Sequence, residues 1–270
     1  MSERGQGSRL RLLWEDSVAR IVLARPEVRN AFDDALIAEL TRAFSDVAAD
    51  PRTRVVLLSG EGPSFCAGAD VAWMRKAGSS SREENEADAV RMARMLRAID
   101  SCPKPVIALV HGAAIGGGVG LVAAADIAIA EEGTVFSLAE VRLGILPSVI
   151  SPYVLRAIGP RQARDLFLTG DRFDAREAHR IGLVHSVVPQ GELESAGMKK
   201  IASLLSSGPE AVGVAKRLIE EVAGKNPEEV IALTARTIAE RRASAEAKEG
   251  LTAFLEKRAP GWAVKRRSKV

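Results

Sequence analysis

Residues 104–130 read KPVIALVHGAAIGGGVGLVAAADIAIA, a stretch that packs strand, turn and helix signals around one glycine cluster. Pro105 to Val110 is a short apolar run rich in β-branched residues with a proline at its start, the pattern of a buried strand, and His111-Gly112 ends it. Gly116, Gly117 and Gly118 follow, and Val119 to Ala124 is small and apolar, which suits a buried helix whose first turn is glycine. Such a helix start leaves backbone N–H groups without intrahelical partners at the positive end of the macrodipole, where an oxyanion or phosphate is stabilised. Glycine lets a ligand approach that backbone closely. Three glycines alone would equally serve a tight strand-to-helix turn, and their spacing is neither a dinucleotide nor a P-loop fingerprint. A second loop, Gly60 to Asp70 (GEGPSFCAGAD), also follows a strand-like segment, Arg54 to Ser59. Two such loops with converging N–H groups would form an oxyanion hole.

Outward from this centre, Leu10 to Trp14 and Val18 to Leu23 read as a β-hairpin. A helix begins at Asp33 with Leu36, Ile37, Leu40, Phe44 and Val47 on one face, and Val55 to Leu58 is a strand. Val71 to Ala77 reads as a short helix carrying Trp73 and Met74 toward an apolar pocket, with core packing the simpler use of both. Ser81 and Glu84 make a capping box for a helix whose predicted buried face is Val90, Ala93, Leu96 and Ile99. After the central stretch come a strand at Ile127 to Ala130, a short segment from Val135-Phe136 to Glu140, and helices over 150–158, 161–168 and 174–180. Val184 to Val188 returns to strand, and from Glu192 onward the pattern is almost wholly helical. The expected organisation is a disordered stretch at 1–8, a β/α body at 9–190, a helical region at 191–258 and a basic tail at 259–270, with no internal sequence repeat.

At 270 residues and 47% hydrophobic, the chain can bury a large core. Two cysteines, Cys66 and Cys102, suit neither a zinc cluster nor a disulfide framework, so no metal is expected and a reducing, cytoplasmic setting is the default. No apolar leader and no membrane-spanning run is present, which predicts a soluble protein. The 38 basic and 35 acidic residues are interspersed, giving a net charge of +3 that suits an anionic, phosphorylated ligand. The one basic run, Lys265 to Lys269, reads as a solvated tail; as a nucleic-acid contact it would give salt-dependent binding lost on its deletion. Aromatic residues for base stacking are scarce, so no nucleic-acid partner is expected.

The motifs SFCAGAD (64–70), KPVIALVHGAAIGGG (104–118) and FSLAEVRLGILP (136–147), with RNAF (29–32), LTGDRFDAREAHRIGLVHSVVP (168–189) and EGLTAFLEKR (249–258), resemble the crotonase or enoyl-CoA hydratase superfamily along almost the whole chain. The resemblance implies an α/β crotonase fold of repeated ββα units with a C-terminal helical trimerisation region, assembling as a homo-trimer or hexamer. It implies an acyl-CoA substrate and no separate cofactor. It implies that the N–H groups of Ala69 and Gly117 form the oxyanion hole for the thioester carbonyl and that Glu140 is the acid-base residue. For coenzyme A it implies adenine near the backbone of Phe65, Cys66 and Ala67, Arg29 beside the ADP moiety, and Phe254 and Lys257 approaching from a neighbouring subunit. The best-known hydratases carry a glutamate two residues after the glycine triplet, where this chain has Val119-Gly120. A single Glu140 could still add water in one concerted syn step, or serve an isomerase or decarboxylase. Trp73, Gly120 and Ser148 are the expected acyl-pocket residues, Ser148 standing where many relatives have glycine, with helix capping as its other reading. His111, a lone histidine near a strand end, reads as structural. Within the superfamily the chain looks like bacterial methylglutaconyl-CoA hydratases, whose substrate ends in a carboxylate; Arg75, Lys76 and Arg142 are the candidate cations for it.

Overall fold

A computed structural model describes residues 9–263. The stretch predicted to be disordered, 1–8, and the Lys265–Lys269 run lie outside the described residues.

A six-stranded sheet runs β1 (Leu10–Glu15), β2 (Val18–Leu23), β3 (Val55–Gly60), β4 (Val106–Val110), β6 (Ile127–Glu131), β9 (Ser186–Val188), and a three-stranded sheet pairs β5 (Ala113–Ile115), β7 (Val135–Ser137) and β8 (Arg172–Asp174). Only the β1–β2 hairpin is antiparallel in the large sheet. Both of its faces are covered, as parallel sheets require. Along β4 the side chains alternate: Val106, Ala108 and Val110 join the main core, whereas Ile107 and Leu109 face a second cluster closed by Ile201. The five consecutive apolar residues of β4 are therefore a strand buried on both sides.

Helix α1 (Asp34–Ala49) is capped by the Asp33 side chain and buries all five predicted residues. After β3 come α2 (Val71–Ala77) and α3 (Arg82–Asp100), the latter opened by the predicted Ser81/Glu84 capping box. The face of α3 differs from expectation. Met95, Leu96 and Ile99 are buried and Met92 packs against the core, while Val90 and Ala93 are exposed. The 3–4–7 spacing of 92, 95, 96 and 99 is the truer helical stripe.

The short strands β5 and β8 were not anticipated; they place the site. Two large-sheet strands pass directly into the small sheet: β4 to β5 and then α4 (Gly117–Ala124), and β6 to β7 and then a 3₁₀ turn, Ala139–Leu143. The β3 branch makes the same step through a parallel bridge between Cys66 and Ala114. Ala114 in turn is paired with Phe136. Cys66, Ala114 and Phe136 thus lie side by side, and the chain leaves the small sheet at one level in three successive units. Ala69, Gly117 and Glu140 follow within three or four residues, which brings them to one edge.

Helix α5 (Ser151–Thr169) breaks at Gly159, where φ is 72° and ψ 162°, matching the two helices expected there. Helix α6 (Ala175–Arg180) precedes β9 and α7 (Leu193–Leu205) covers the second core. Helices α8 (Pro209–Val222), α9 (Pro227–Ala243) and α10 (Ala245–Leu255) bury only Ala253. Trp262 folds back, its Nε1 donating to the Ser206 carbonyl at 3.2 Å while its own carbonyl accepts from Arg54 Nη1 at 2.7 Å. No described helix is long and apolar enough to cross a membrane.

Candidate active site

A cavity of about 820 Å³ opens at the edge where the three units leave the small sheet. Ala69, Gly117 and Glu140 all line it, as do Ala67, Trp73 and Ser148. Gly68 sits at φ +88°, a conformation that favours glycine, and a Cβ on it would lie 2.8 Å from the Ile115 carbonyl and 3.8 Å from the Gly117 nitrogen. The two glycine-bearing loops therefore converge. Among the described residues, neither the Ala69 nor the Gly117 N–H has an acceptor. Two free N–H groups on converging backbones can hold one oxygen that gains negative charge.

Glu140 faces this pair. A Cβ added at Gly116, itself at φ +52°, would sit 2.8 Å from Glu140 Oε1, so a side chain at 116 would displace the carboxylate. Glu140 Oε2 is buried without a hydrogen-bond partner among the described residues. Burial pushes the Glu140 pKa up, partly offset by a hydrogen bond from its own N–H. Desolvation with no charged partner is the environment that prepares a carboxyl for proton transfer near neutral pH.

Gly120 is fully buried in α4 and does not line the cavity. Its Cβ position is filled by Ile150, whose Cγ2 would lie 2.3 Å away, with Leu96 behind at 3.6 Å. The expectation that Gly120 shapes the acyl pocket is corrected accordingly: Ile150, which does line the cavity, takes that space. No sequence signal identified Ile150, because the contact joins α4 to a residue 30 positions later. Trp73 serves both of its expected uses, packing on the core and lining the cavity while its Nε1 donates to Asp34 Oδ1 at 3.1 Å. The Ser148 hydroxyl has no hydrogen bond among the described residues; it is the Ser148 carbonyl that accepts from Ser151 Oγ at 2.7 Å, so the side chain caps nothing.

The three candidate cations are now distinguishable. Arg142 donates to Thr169 O and Asp171 Oδ1, away from the cavity. Lys76 is 4.0 Å from Asp34 Oδ2. Arg75 lines the cavity, and no ion-pair partner of it exists among the described residues.

Of the residues expected near coenzyme A, Phe65 and Cys66 are fully buried, and burial pushes the Cys66 thiol up to about 12. The N–H groups of Phe65, Cys66 and Ala67 are spent on His111, Ala113 and Arg29 carbonyls and the Cys66 carbonyl accepts from the Ile115 N–H at 3.0 Å, so an adenine amino group here would have the Phe65 and Ala67 carbonyls to meet. Arg29 is exposed at φ 53°. Phe254 and Lys257 do not line the cavity of this chain; Phe254 is 80% exposed on α10. His111 Nε2 donates to the Gly62 carbonyl at 2.9 Å, a structural contact. No cluster of metal-ligating side chains occurs among the described residues.

The successive strand pairs that lead from the large sheet through the small one to a shared cavity are those of an enzyme of the crotonase fold. The chain matches the enoyl-CoA hydratase/isomerase family over residues 14–265 and belongs to that family. It is 36% identical over 246 residues to a crotonyl-CoA hydratase of Syntrophomonas wolfei, covering 90% of this chain and 94% of that one. It is 34% identical over 263 residues to a mitochondrial Delta(3,5)-Delta(2,4)-dienoyl-CoA isomerase of Dictyostelium discoideum, covering 93% and 90%. The crystal structure of an enoyl-CoA hydratase from Shewanella pealeana superposes with a TM-score of 0.91 at 41% identity, covering 94% and 96%.

Proposed function

We propose that this chain adds water reversibly to a branched enoyl-CoA, 3-methylglutaconyl-CoA being the substrate and 3-hydroxy-3-methylglutaryl-CoA the product, in the cytoplasm and without a separate cofactor. The observation that carries the reading is a buried, unpartnered Glu140 oxygen in a cavity that also holds two free backbone N–H groups. The thioester oxygen accepts from Ala69 and Gly117, which stabilises the enolate-like transition state more than the substrate. Glu140, protonated, gives its proton to C2 while its second oxygen takes a proton from the water that attacks C3. Water adds across the double bond and the carboxyl ends as it began. A tertiary carbon at C3 carries positive character better than a secondary one, so one carboxyl suffices. Arg75 meets the distal substrate carboxylate.

A second reading, double-bond isomerisation, draws on the sealed Gly120 position: a single carboxyl can also carry a proton from one carbon to another. Incubation with a panel of enoyl-CoA thioesters followed by product mass separates the two. Hydration adds the mass of water; an unchanged mass with a shifted double bond, or a clear preference for crotonyl-CoA, refutes the branched-hydratase reading.

The assembly that completes the site is a homo-trimer or hexamer. Ile219, Ile231, Ile238, Leu251, Phe254 and Leu255 of α8–α10 are exposed in the single chain. Apolar surface on that scale calls for a partner, and a neighbouring copy would bring Phe254 and Lys257 to coenzyme A.

A further inference from the structure

Behind the oxyanion donors lies an ion cluster that the chemistry above does not use. Arg25, just after β2, reaches two carboxylates at once: Nη1 is 3.2 Å from Asp33 Oδ2 and Nη2 is 3.1 Å from Asp70 Oδ2, with all three side chains largely buried. Arg25 Nη1 also donates to the Ala31 carbonyl at 2.6 Å. Each aspartate caps a helix, Asp33 Oδ1 accepting from the Leu36 N–H at 2.8 Å and Asp70 Oδ1 from the Ala72 N–H at 2.9 Å. Burial alone would raise the Asp33 pKa, but the Leu36 N–H, Arg9 and Arg25 outweigh it and hold the group ionised.

Between these anchors runs Phe32. Its N–H donates to the Gly68 carbonyl at 2.7 Å and its carbonyl accepts from the Asp70 N–H at 2.8 Å, so the backbone on either side of Ala69 is gripped while the Ala69 N–H stays free. The buried Phe32 ring packs over the other donor: Cε2 would lie 2.8 Å from a Cβ on Gly117. One residue thus touches both halves of the hole. Arg25 ties down the carbonyl before it, the carboxylate after it, and the carboxylate that follows Ala69.

We propose that Arg25 is a positioning residue for the oxyanion hole, acting through Phe32 to fix the spacing of the Ala69 and Gly117 N–H groups. The inference rests on the reading of those two groups as donors to the thioester oxygen. Such donors stabilise developing charge only when already aimed, and a misplacement of about 1 Å can cost on the order of a hundredfold in rate. The planar guanidinium suits the task because it holds two diverging carboxylates and a carbonyl in fixed directions, which a single ammonium cannot.

The test uses Arg25→Gln, Arg25→Lys and, as a control, Arg9→Gln, since Arg9 pairs with Asp33 from the half-exposed side and feels Asp70 only through its charge, with no hydrogen bond or ion pair to it among the described residues. The probe is a chromophoric aryl-enoyl-CoA, whose absorption moves to longer wavelength when its carbonyl is polarised. In Arg25→Gln the bound probe loses most of that red shift and kcat falls by roughly tenfold or more, while free coenzyme A still binds. Arg25→Lys recovers part of both, and Arg9→Gln keeps the shift. A merely structural role would lower the melting temperature and leave the red shift of the folded protein intact; that outcome, or wild-type kcat in Arg25→Gln, overturns the proposal. If Arg25→Gln does not fold, Arg25→Lys decides, an undiminished shift and kcat refuting and a partial loss supporting. A natural protein that binds the probe without any red shift refutes the hole itself and this inference with it. Whether water is added is scored separately by product mass and does not move the spectral result.

Discussion

Replacing Glu140 by glutamine separates what the carboxyl does for the reaction from what it costs the fold. One oxygen is buried without a partner among the described residues, and burial raises the pKa. Between the ordinary carboxylate value and the raised folded one, the folded chain binds more protons than the unfolded chain. Stability from this group is therefore full at pH below the unfolded pKa and is lost as pH rises through the folded value. Glutamine cannot ionise, so Glu140→Gln should melt higher than the natural protein at pH 8, with the difference vanishing near pH 4. The amide occupies the same space and is itself a buried polar group, so the gain comes only from removing the ionisation that burial opposes, on the order of 1 kcal/mol at pH 8. For a chain of this size that is roughly 2–4 °C in Tm. Turnover should fall by about a hundredfold or more, the usual worth of general acid–base catalysis. Thermal melts at both pH values and loss of enoyl absorbance at saturating substrate read the two effects. A variant that melts lower at pH 8, or turns over near the natural rate, refutes the reasoning. The pH profile adds a sign: hydration through a protonated Glu140 declines as pH rises through the raised pKa, whereas isomerisation begins with the ionised group and declines as pH falls.

Further outcomes follow from the same geometry. Gly120→Glu, with Ile150 Cγ2 only 2.3 Å from the new Cβ, should lower stability by about 1–3 kcal/mol or more and yield no gain in crotonyl-CoA hydration; chemical denaturation and a crotonyl-CoA assay check it, and the added change Ile150→Gly should recover part of the stability. Arg75→Ala should lower kcat/KM for a carboxylate-ended enoyl-CoA by roughly tenfold or more and leave crotonyl-CoA within about twofold; equal losses for both would assign Arg75 to the coenzyme A phosphates. Gly117→Pro deletes one of the two N–H groups proposed to hold the thioester oxygen, and a variant that is folded by circular dichroism should lose roughly a hundredfold or more in kcat.

Much of this was legible in the sequence because its signals are local. The helix start at Asp33, the Ser81 capping box, the apolar run of β4 and the glycine triplet each depend on residues within one turn or strand of one another. Ala69, Gly117 and Glu140 were reachable through family motifs, and the structure supplies the reason they meet, the alignment of Cys66, Ala114 and Phe136 across the small sheet. The strands β5 and β8 were not legible: at three residues each, they carry no period to read. Nor were the Gly120–Ile150 contact, the pairing of Arg142 with Thr169 and Asp171, or the reach of Arg25 to Asp70, all of which join residues far apart in sequence. For Arg25 the one local hint was the neighbouring RNAF motif at 29–32, which contains Phe32.

The filled space at position 120 bears on the chemistry as much as on the packing. A second carboxylate there would be desolvated against Ile150 and Leu96, and if its charge reached Glu140 the two titrations would split, one group rising and the other staying low. With Ile150 in that space, Glu140 is the only carboxyl lining the cavity among the described residues, and its pKa is raised by burial rather than by a neighbouring charge. Such a site cannot divide acid and base between two groups. It must use the two oxygens of one carboxyl in a single step, or move one proton between two carbons. Either course puts the burden of charge stabilisation on the thioester oxygen, and so on the aim of the Ala69 and Gly117 N–H groups. A site with one carboxyl therefore depends more steeply on its oxyanion geometry than a site with two, and the buried Arg25 cluster is placed where that geometry is set.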